Sequence, residues 1–542
     1  MTIAATYNVV WKSVYHDSVT LMRLTRDLES VPGVTRAAAM MATPPNRALL
    51  EQAGLLTPDG ARASANDLVI AVIADDPAAA EAAAAAARAA LTAPVTGSTR
   101  RGGVIAAAAP APRTLDSALG VVPEATLAFV SVPGLYAGAE ALKALRRGLH
   151  VMLFSDNVPL ETEIELKRFA AARDLFLMGP DCGTAIIDGV PLGFANAVPR
   201  GRIGIAAASG TGLQEVACHV VAGGEGISHA IGVGGRDLSD AVGGLMMERA
   251  LAALGADPGT EVVCVVGKPP GAKVAARLAA WTAALGKPCV LSFVGGGAGM
   301  GGGAGGTRTT AGDARSAVGT GRATVHVADS LEDAARGAVA LARKTTPTRI
   351  EFDLPADDVE RLVETAVRGM APGQRYVRGI YAGGTLAGEA RALLAAGLDG
   401  VAPGLTGGGD GHRVVDLGED VFTVGRPHPM LDGTVRREWI AREAADPATA
   451  VLLLDVVLGY GAHPDPVAEV LPALGAARDH ARIAGHALAM VASVCGTDAD
   501  SQGKAGQVQR LQAAGVIVMP SNAQAARLAA RIADYRRDSR QR

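Results

Sequence analysis

The chain has 542 residues and 54.7 kDa; 49% of it is hydrophobic, 19% charged, and the net charge is −3. That apolar content excludes global disorder and suffices for three or four cores at about 100–200 residues each. A near-neutral balance with 3% aromatics argues against a nucleic-acid binder, which needs a basic face and stacking platforms. The five cysteines, Cys182, Cys218, Cys264, Cys289 and Cys495, are too far apart for a disulfide framework or a metal site. No basic-then-apolar leader opens the chain, and no apolar run reaches the roughly 18 residues of a membrane span. The expectation is a cytoplasmic protein with no membrane or nucleic-acid partner.

In chain order, residues 7–14 alternate like a strand, 19–28 have helical spacing, 34–41 and 66–74 are strands, and 78–91 form an Ala-rich helix. This predicts a small α+β domain over 1–95. A polar linker at 96–101 leads to strand–helix alternation: strands at 125–132, 150–154 and 175–178, helices at 137–147 and 161–173. The fold class is therefore α/β, with a Rossmann-like domain over 103–198. Ligands of such sheets sit at the carboxyl ends of strands, which here include Asp181-Cys182-Gly183-Thr184. Asp181, Cys182 and Gly183 become candidate substrate contacts. Cys182 has no evident base, so a structural or substrate-shaping part suits it better than nucleophile.

The remainder holds an internal repeat. A strand at 202–208 leads into Ser209-Gly210-Thr211-Gly212 and Glu215; a strand at 376–381 leads into Gly383-Gly384-Thr385 and Glu389. Each copy continues with a Gly-Arg turn (Gly235-Arg236, Gly425-Arg426) and two further strands with Gly-rich exits. Two flavodoxin-like modules are predicted, at 199–342 and 374–537. The Gly-rich run from Gly295 to Gly306 reads as a linker or a closing loop.

Ser209, Gly210, Thr211 and Gly212 stand between a strand and a helix, where unpaired amides and hydroxyls favour an anion. The alternative is an N-cap with a tight turn. Gly383, Gly384 and Thr385 match them, so opposed helix N-termini could share one phosphate. His428 and His463, in Gly/Pro-rich loops, are candidate acid/base groups or loop-locking residues. Arg426 or Arg236 could fork onto a carboxylate or phosphate, or form surface salt bridges.

Together these landmarks resemble succinyl-CoA synthetase and its NDP-forming relatives. Phe129–Gly134, His150–Pro159 and Met178–Gly183 match the second half of that family's CoA-binding domain, and Gly201–Glu215 its power-helix segment. Three departures stand out. No histidine occupies Gly295-Gly296-Gly297-Ala298-Gly299-Met300-Gly301, where the family has its phosphohistidine loop. Lys268 replaces the partner glutamate, and the nucleotide-binding grasp domain is missing. The glycine-rich turn for CoA is not recognisable before 104–109.

The runs Gly425-Arg426-Pro427-His428-Pro429-Met430, 455–466 and Ser493-Val494-Cys495-Gly496-Thr497-Asp498-Ala499-Asp500 are similar to those of the FdrA family. That resemblance implies a subunit of an oxamate carbamoyltransferase of purine and allantoin breakdown, converting oxalurate and phosphate to oxamate and carbamoyl phosphate. It implies further subunits as partners, phosphate and a small acid as substrates, and no required cofactor or metal. The alternatives are an NDP-forming acyl-CoA ligase, with CoA and nucleotide, and a noncatalytic scaffold.

Overall fold

The computed structural model describes residues 5–16, 18–92, 112–295, 324–406, 410–423 and 426–538. The expected linker at 96–101, residues 104–109 and almost all of the Gly-rich run lie outside the described residues. Two compact units are present: 1–150 with 423–427, and 151–422 with 428–542.

The first unit begins β1 (Ala5–Trp11), α1 (Ser18–Glu29), β2 (Val34–Met41), α2 (Pro44–Gln52), α3 (Pro58–Ala61), β3 (Leu68–Ala74) and α4 (Pro77–Thr92). The antiparallel sheet order is β1-β3-β2. Strand β3 reads as one apolar run because both its faces are covered. Leu68, Ile70, Val72 and Ala74 enter one core, and Val69 and Ala71 another. The sequence reading missed α2 and α3, although Thr43 and Thr57 cap them immediately before prolines. Next come α5 (Leu115–Val121), β4 (Leu127–Val130), α6 (Gly134–Arg146) and β5 (His150–Leu153).

The second unit continues with α7 (Leu160–Ala171), β6 (Leu177–Met178) and the hairpin β7 (Thr184–Ile187) and β8 (Val190–Gly193). Strands β5 and β6 pair in parallel through Val151↔Leu177 and Met152↔Met178. The hairpin was not anticipated. Its signal was Asp188-Gly189, both at positive φ (52° and 79°), as a tight primed turn requires.

The first module comprises β9 (Arg200–Ala207), α8 (Gly210–Ala222), β10 (Ile227–Gly232), α9 (Leu245–Ala256), β11 (Val262–Gly267), α10 (Ala272–Ala284), β12 (Cys289–Phe293), β13 (Val325–Ala328) and α11 (Leu331–Ala342). After α12 (Ala356–Val367) the second has β14 (Tyr376–Tyr381), α13 (Gly384–Gly397), β15 (Arg413–Asp416), α14 (Asp420–Thr423), α15 (Thr434–Ala444), β16 (Thr449–Val457), α16 (Pro466–Ile483), β17 (Ala489–Cys495), α17 (Lys504–Ala513), β18 (Ile517–Met519) and α18 (Asn522–Asp538).

The sheets run β13-β12-β11-β9-β10-β7-β8 and β15-β14-β16-β17-β18. Without the hairpin, each is the parallel order 2-1-3-4-5 of a flavodoxin-like fold. One apolar core serves both modules. It joins Leu213 and Val216 of α8, Leu386 and Leu394 of α13, Leu331 of α11 and Leu528 of α18.

An ionic knot ties α7 to the first module. Lys167 Nζ, fully buried, lies 2.8 Å from Glu163 Oε1, 2.8 Å from Asp237 Oδ1 and 2.9 Å from the Val233 carbonyl. The Glu163 contact is an ion pair by proximity rather than an aligned hydrogen bond. Asp237 also accepts the amides of Met246 and Met247, capping α9. Lys167→Met would leave Asp237 buried without its cation and Glu163 with Arg236 alone. The expected loss is on the order of 3–5 kcal/mol, read as a lower urea midpoint at neutral pH.

Candidate functional site

Strands β9 and β14 lie at equivalent central places in their sheets, so each delivers the N-terminus of its helix to the strand ends. Ser209, extended at φ −164°, caps α8 and accepts the Gly212 amide at 2.9 Å. Its Oγ also lies 2.5 Å from Thr385 Oγ1 of α13. A Cβ on Gly212 would stand 3.1 Å from Thr385 Cγ2, and one on Gly383 3.0 Å from Thr211 Cγ2. The structure thus brings the two predicted cradles together, and neither glycine has room for a side chain.

The cradles are not equivalent. Asp455 Oδ1 accepts the Ala382 amide and Oδ2 the Gly383 amide, both at 2.8 Å. Arg436 Nη2 lies 3.3 Å from that carboxylate. Burial raises the Asp455 pKa, opposed by Arg436 and the two amides. The Gly383 N–H is therefore already taken, which corrects its expected place as a phosphate donor. A second carboxyl, Asp416, packs against Gly384, where a Cβ would meet Oδ2 at 2.5 Å. In the first module Val266 holds the place of Asp455: Val266 pairs with Ala207 as Leu454 pairs with Ile380, one register earlier. Among the described residues the Gly210 and Thr211 amides have no protein acceptor. The Asp455 carboxylate makes the start of α13 less favourable to an external anion than the start of α8.

Beside the cradles lies a carboxyl cluster. Asp181 is pushed up to about 6, chiefly by desolvation, then by Asp156 and Asp420; Lys268 and Arg236 oppose the shift. Asp181 keeps solvent access in these dense surroundings. Asp416, buried and holding the Gly418 amide at 2.9 Å, is pushed up to about 7 by desolvation. Lys268 also acts on Asp416, so its charge sits among these groups.

His428 adjoins them: a Cβ on Gly418 would lie 2.8 Å from His428 Nε2 and 3.1 Å from both the Ala382 carbonyl and Asp416 Oδ1. Its Nδ1 accepts the Met430 amide at 3.2 Å, which puts the ring proton on Nε2. Burial pulls its pKa down to about 4. His428 is thus a neutral donor at pH 7. Shifted groups gathered in one cluster mark functional sites.

Other expected residues lie elsewhere. His463 Nδ1 accepts the Asp465 amide at 2.9 Å and Nε2 stands 3.7 Å from Glu469, so it belongs to the start of α16. Arg426 is exposed and groups with the first compact unit; Gly425 lies outside the described residues. Arg236 is not a free clamp: Nε pairs with Glu163 at 2.8 Å and Nη2 donates to the Val158 carbonyl. Cys182 faces the Thr184 and Gly232 carbonyls, and burial pushes its thiol up to about 12, so it is structural and not a substrate contact. Gly183 accepts the Phe194 amide, locking the hairpin base.

The run 493–500 is structural too. Asp500 holds the Thr497 and Ala197 amides and the Asn196 side chain at 2.7–2.8 Å. Sequence reasoning missed Asp416, Asp455 and His428's acidic neighbours. Single aspartates at strand ends carry no periodic signal.

Residues 380–532 match the CoA-ligase family model, and residues 1–106 match the model described as AllF, heavy metal-associated domain. Residues 1–106 contain no cysteine and one histidine, His16, so no thiolate for a heavy metal stands there. Among the described residues no cluster could hold a metal, and no helix is long and apolar enough to cross a membrane. The uncharacterized protein YahF of Escherichia coli (strain K12) is 36% identical over 524 residues, 95% of this chain and 96% of its own. The ADP-forming sulfoacetate-CoA ligase subunit SauD of Bilophila wadsworthia (strain 3_1_6) is 29% identical over 27% of this chain and 50% of its own.

Among solved structures, the Ca. Korarchaeum cryptofilum dinucleotide forming acetyl-coenzyme A synthetase 1 is 15% identical, with TM-score 0.31, covering 76% of this chain and 85% of that one. The expected carbamoyltransferase activity is overturned by these matches, which point to CoA ligases. With 36% identity sustained over nearly its whole length, the chain belongs to the same family as YahF, and its residues 380–532 carry the CoA-ligase match.

Proposed function

We propose that the chain carries the acyl-transfer half of an NDP-forming acyl-CoA ligase, interconverting an acyl-CoA plus phosphate with an acyl phosphate plus CoA. The observation that carries this reading is the hydroxyl pair Ser209–Thr385 joining two helix N-termini, one of them inside the matched CoA-ligase segment. A phosphate oxygen attacks the thioester carbonyl carbon; the C–S bond breaks, and the thiolate takes up the proton that phosphate gives. The α8 amides at Gly210 and Thr211, with the Ser209 and Thr385 hydroxyls, hold the phosphate. Neutral His428 donates from Nε2 to the carbonyl oxygen, and Lys268 offsets charge in the cluster. On this reading a nucleotide-binding partner subunit would supply the phosphoryl step. The FdrA-like runs place the chain, on this reading, in an FdrA-like branch of the ligase relatives.

The test is phosphate-dependent release of CoA thiol from succinyl-CoA, with the acyl phosphate trapped by hydroxylamine. Thr385→Val keeps the shape and removes the hydroxyl. It should lower that rate by about 10–100-fold while costing only about 1 kcal/mol in stability. No thiol release from the wild-type chain, alone or with its partner subunit, would sink the reading.

Asp416 gives a separate check. Its folded pKa of about 7 lies above the ordinary 3.8, so the folded state binds the extra proton. Stability should then fall as pH rises from about 4 to 7 and level off above. Asp416→Asn should be more stable than wild type at pH 8, by up to a few kcal/mol, and no more stable at pH 3.5. Denaturant midpoints at the two pH values decide this.

A further inference from the structure

Away from the strand ends, a cavity of about 640 Å³ opens between α8 and α11 of the first module and β17, α17 and β18 of the second. Its volume is that of an ordinary small-ligand site. The wall is two-natured. Val339, Val494, Val518 and Met519 give it an apolar floor. Three cations, Arg336, Arg343 and Lys504, face it against one acid, Asp353.

The arginines are committed, Arg336 to Glu332 and Asp353, and Arg343 to Glu225. Lys504 is different: its partner among the described residues is the Gly496 carbonyl, at 3.1 Å. His219 stands opposite. One ring nitrogen lies 3.1 Å from Glu215, whose charge raises the His219 pKa although burial and Lys504 lower it. The repeat supplies an independent observation. Glu215 matches Glu389, so His219 matches Leu393, and the histidine of this cavity has an apolar residue at the equivalent place of the repeat.

We propose that this cavity binds an amphipathic organic anion, its acidic group between His219 and Lys504 and its apolar part on Val339, Val494, Val518 and Met519. Because the cavity is walled by both modules, such a ligand would hold them together. It would also touch α8, whose opposite end is the Ser209 cradle.

The probe is 8-anilinonaphthalene-1-sulfonate, an apolar aryl sulfonate, titrated into the full chain by calorimetry. One saturable site is expected. Lys504→Gln should weaken it about tenfold, Lys504→Arg should restore it, and Val508→Asp, which places a negative charge in the cavity wall, should abolish it. Thermal melts of the Lys504 variants should match wild type. Absence of saturable binding, or an unchanged affinity in either Lys504→Gln or Val508→Asp, overturns the proposal. Thiol release from succinyl-CoA is a different readout, so the two proposals can fail separately.

Discussion

Two buried glutamates hold the duplicated half of this protein together. Glu215 on α8 accepts the Asn522 amide, the first of α18, at 3.1 Å. Glu389 on α13 accepts the Leu331 amide, the first of α11, at 2.7 Å, and the Asn522 side chain at 2.8 Å. The first helix of each module thus caps the last helix of the other. A carboxylate at a helix N-terminus satisfies amides that have no partner of their own and meets the positive end of the dipole. Burying either carboxylate without those donors would be costly. The exchange therefore fixes the modules in one arrangement, and that arrangement brings Ser209 to Thr385. His219 holds Glu215 to about 2, whereas burial pushes Glu389 up to about 7.

On this nearly symmetric frame, a few substitutions make the halves unequal. Val266 sits beneath the α8 cradle and Asp455 beneath that of α13, so one end is open to an external anion and the other already holds an internal one. His219 against Leu393 does the same at the far end of these helices. Duplication built the geometry, and single changes of charge assigned different tasks to its copies. Lys268 among Asp181 and Asp416 follows the same logic, since one cation tempers a cluster that would otherwise repel an anionic substrate.

Much of the fold was legible in the chain. Continuous apolar strands, Gly-Thr helix starts and the spaced glutamates Glu215 and Glu389 marked two parallel modules, and both have the order 2-1-3-4-5. The β7–β8 hairpin was legible in Asp188-Gly189 and was passed over. The cradles were visible because a helix start needs small and hydroxyl residues in a fixed local order. Asp455 and Asp416 were not, because a lone aspartate after an apolar run reads the same whether it meets water or a neighbour's amides. Arg236 misled for the same reason: its partner, Glu163, is far away in sequence.

By itself the sequence determined what is local or periodic: which segments are strands and helices, that one module is repeated, and that two helix starts favour anions. Those properties follow from backbone geometry and from the spacing of apolar side chains along one chain. Only the tertiary structure decided which cradle stays open, which carboxyls lose their water, and which histidine joins them. Each of these depends on a partner brought near from a distant segment. Burial and charge act through space, and one-dimensional spacing does not contain that distance.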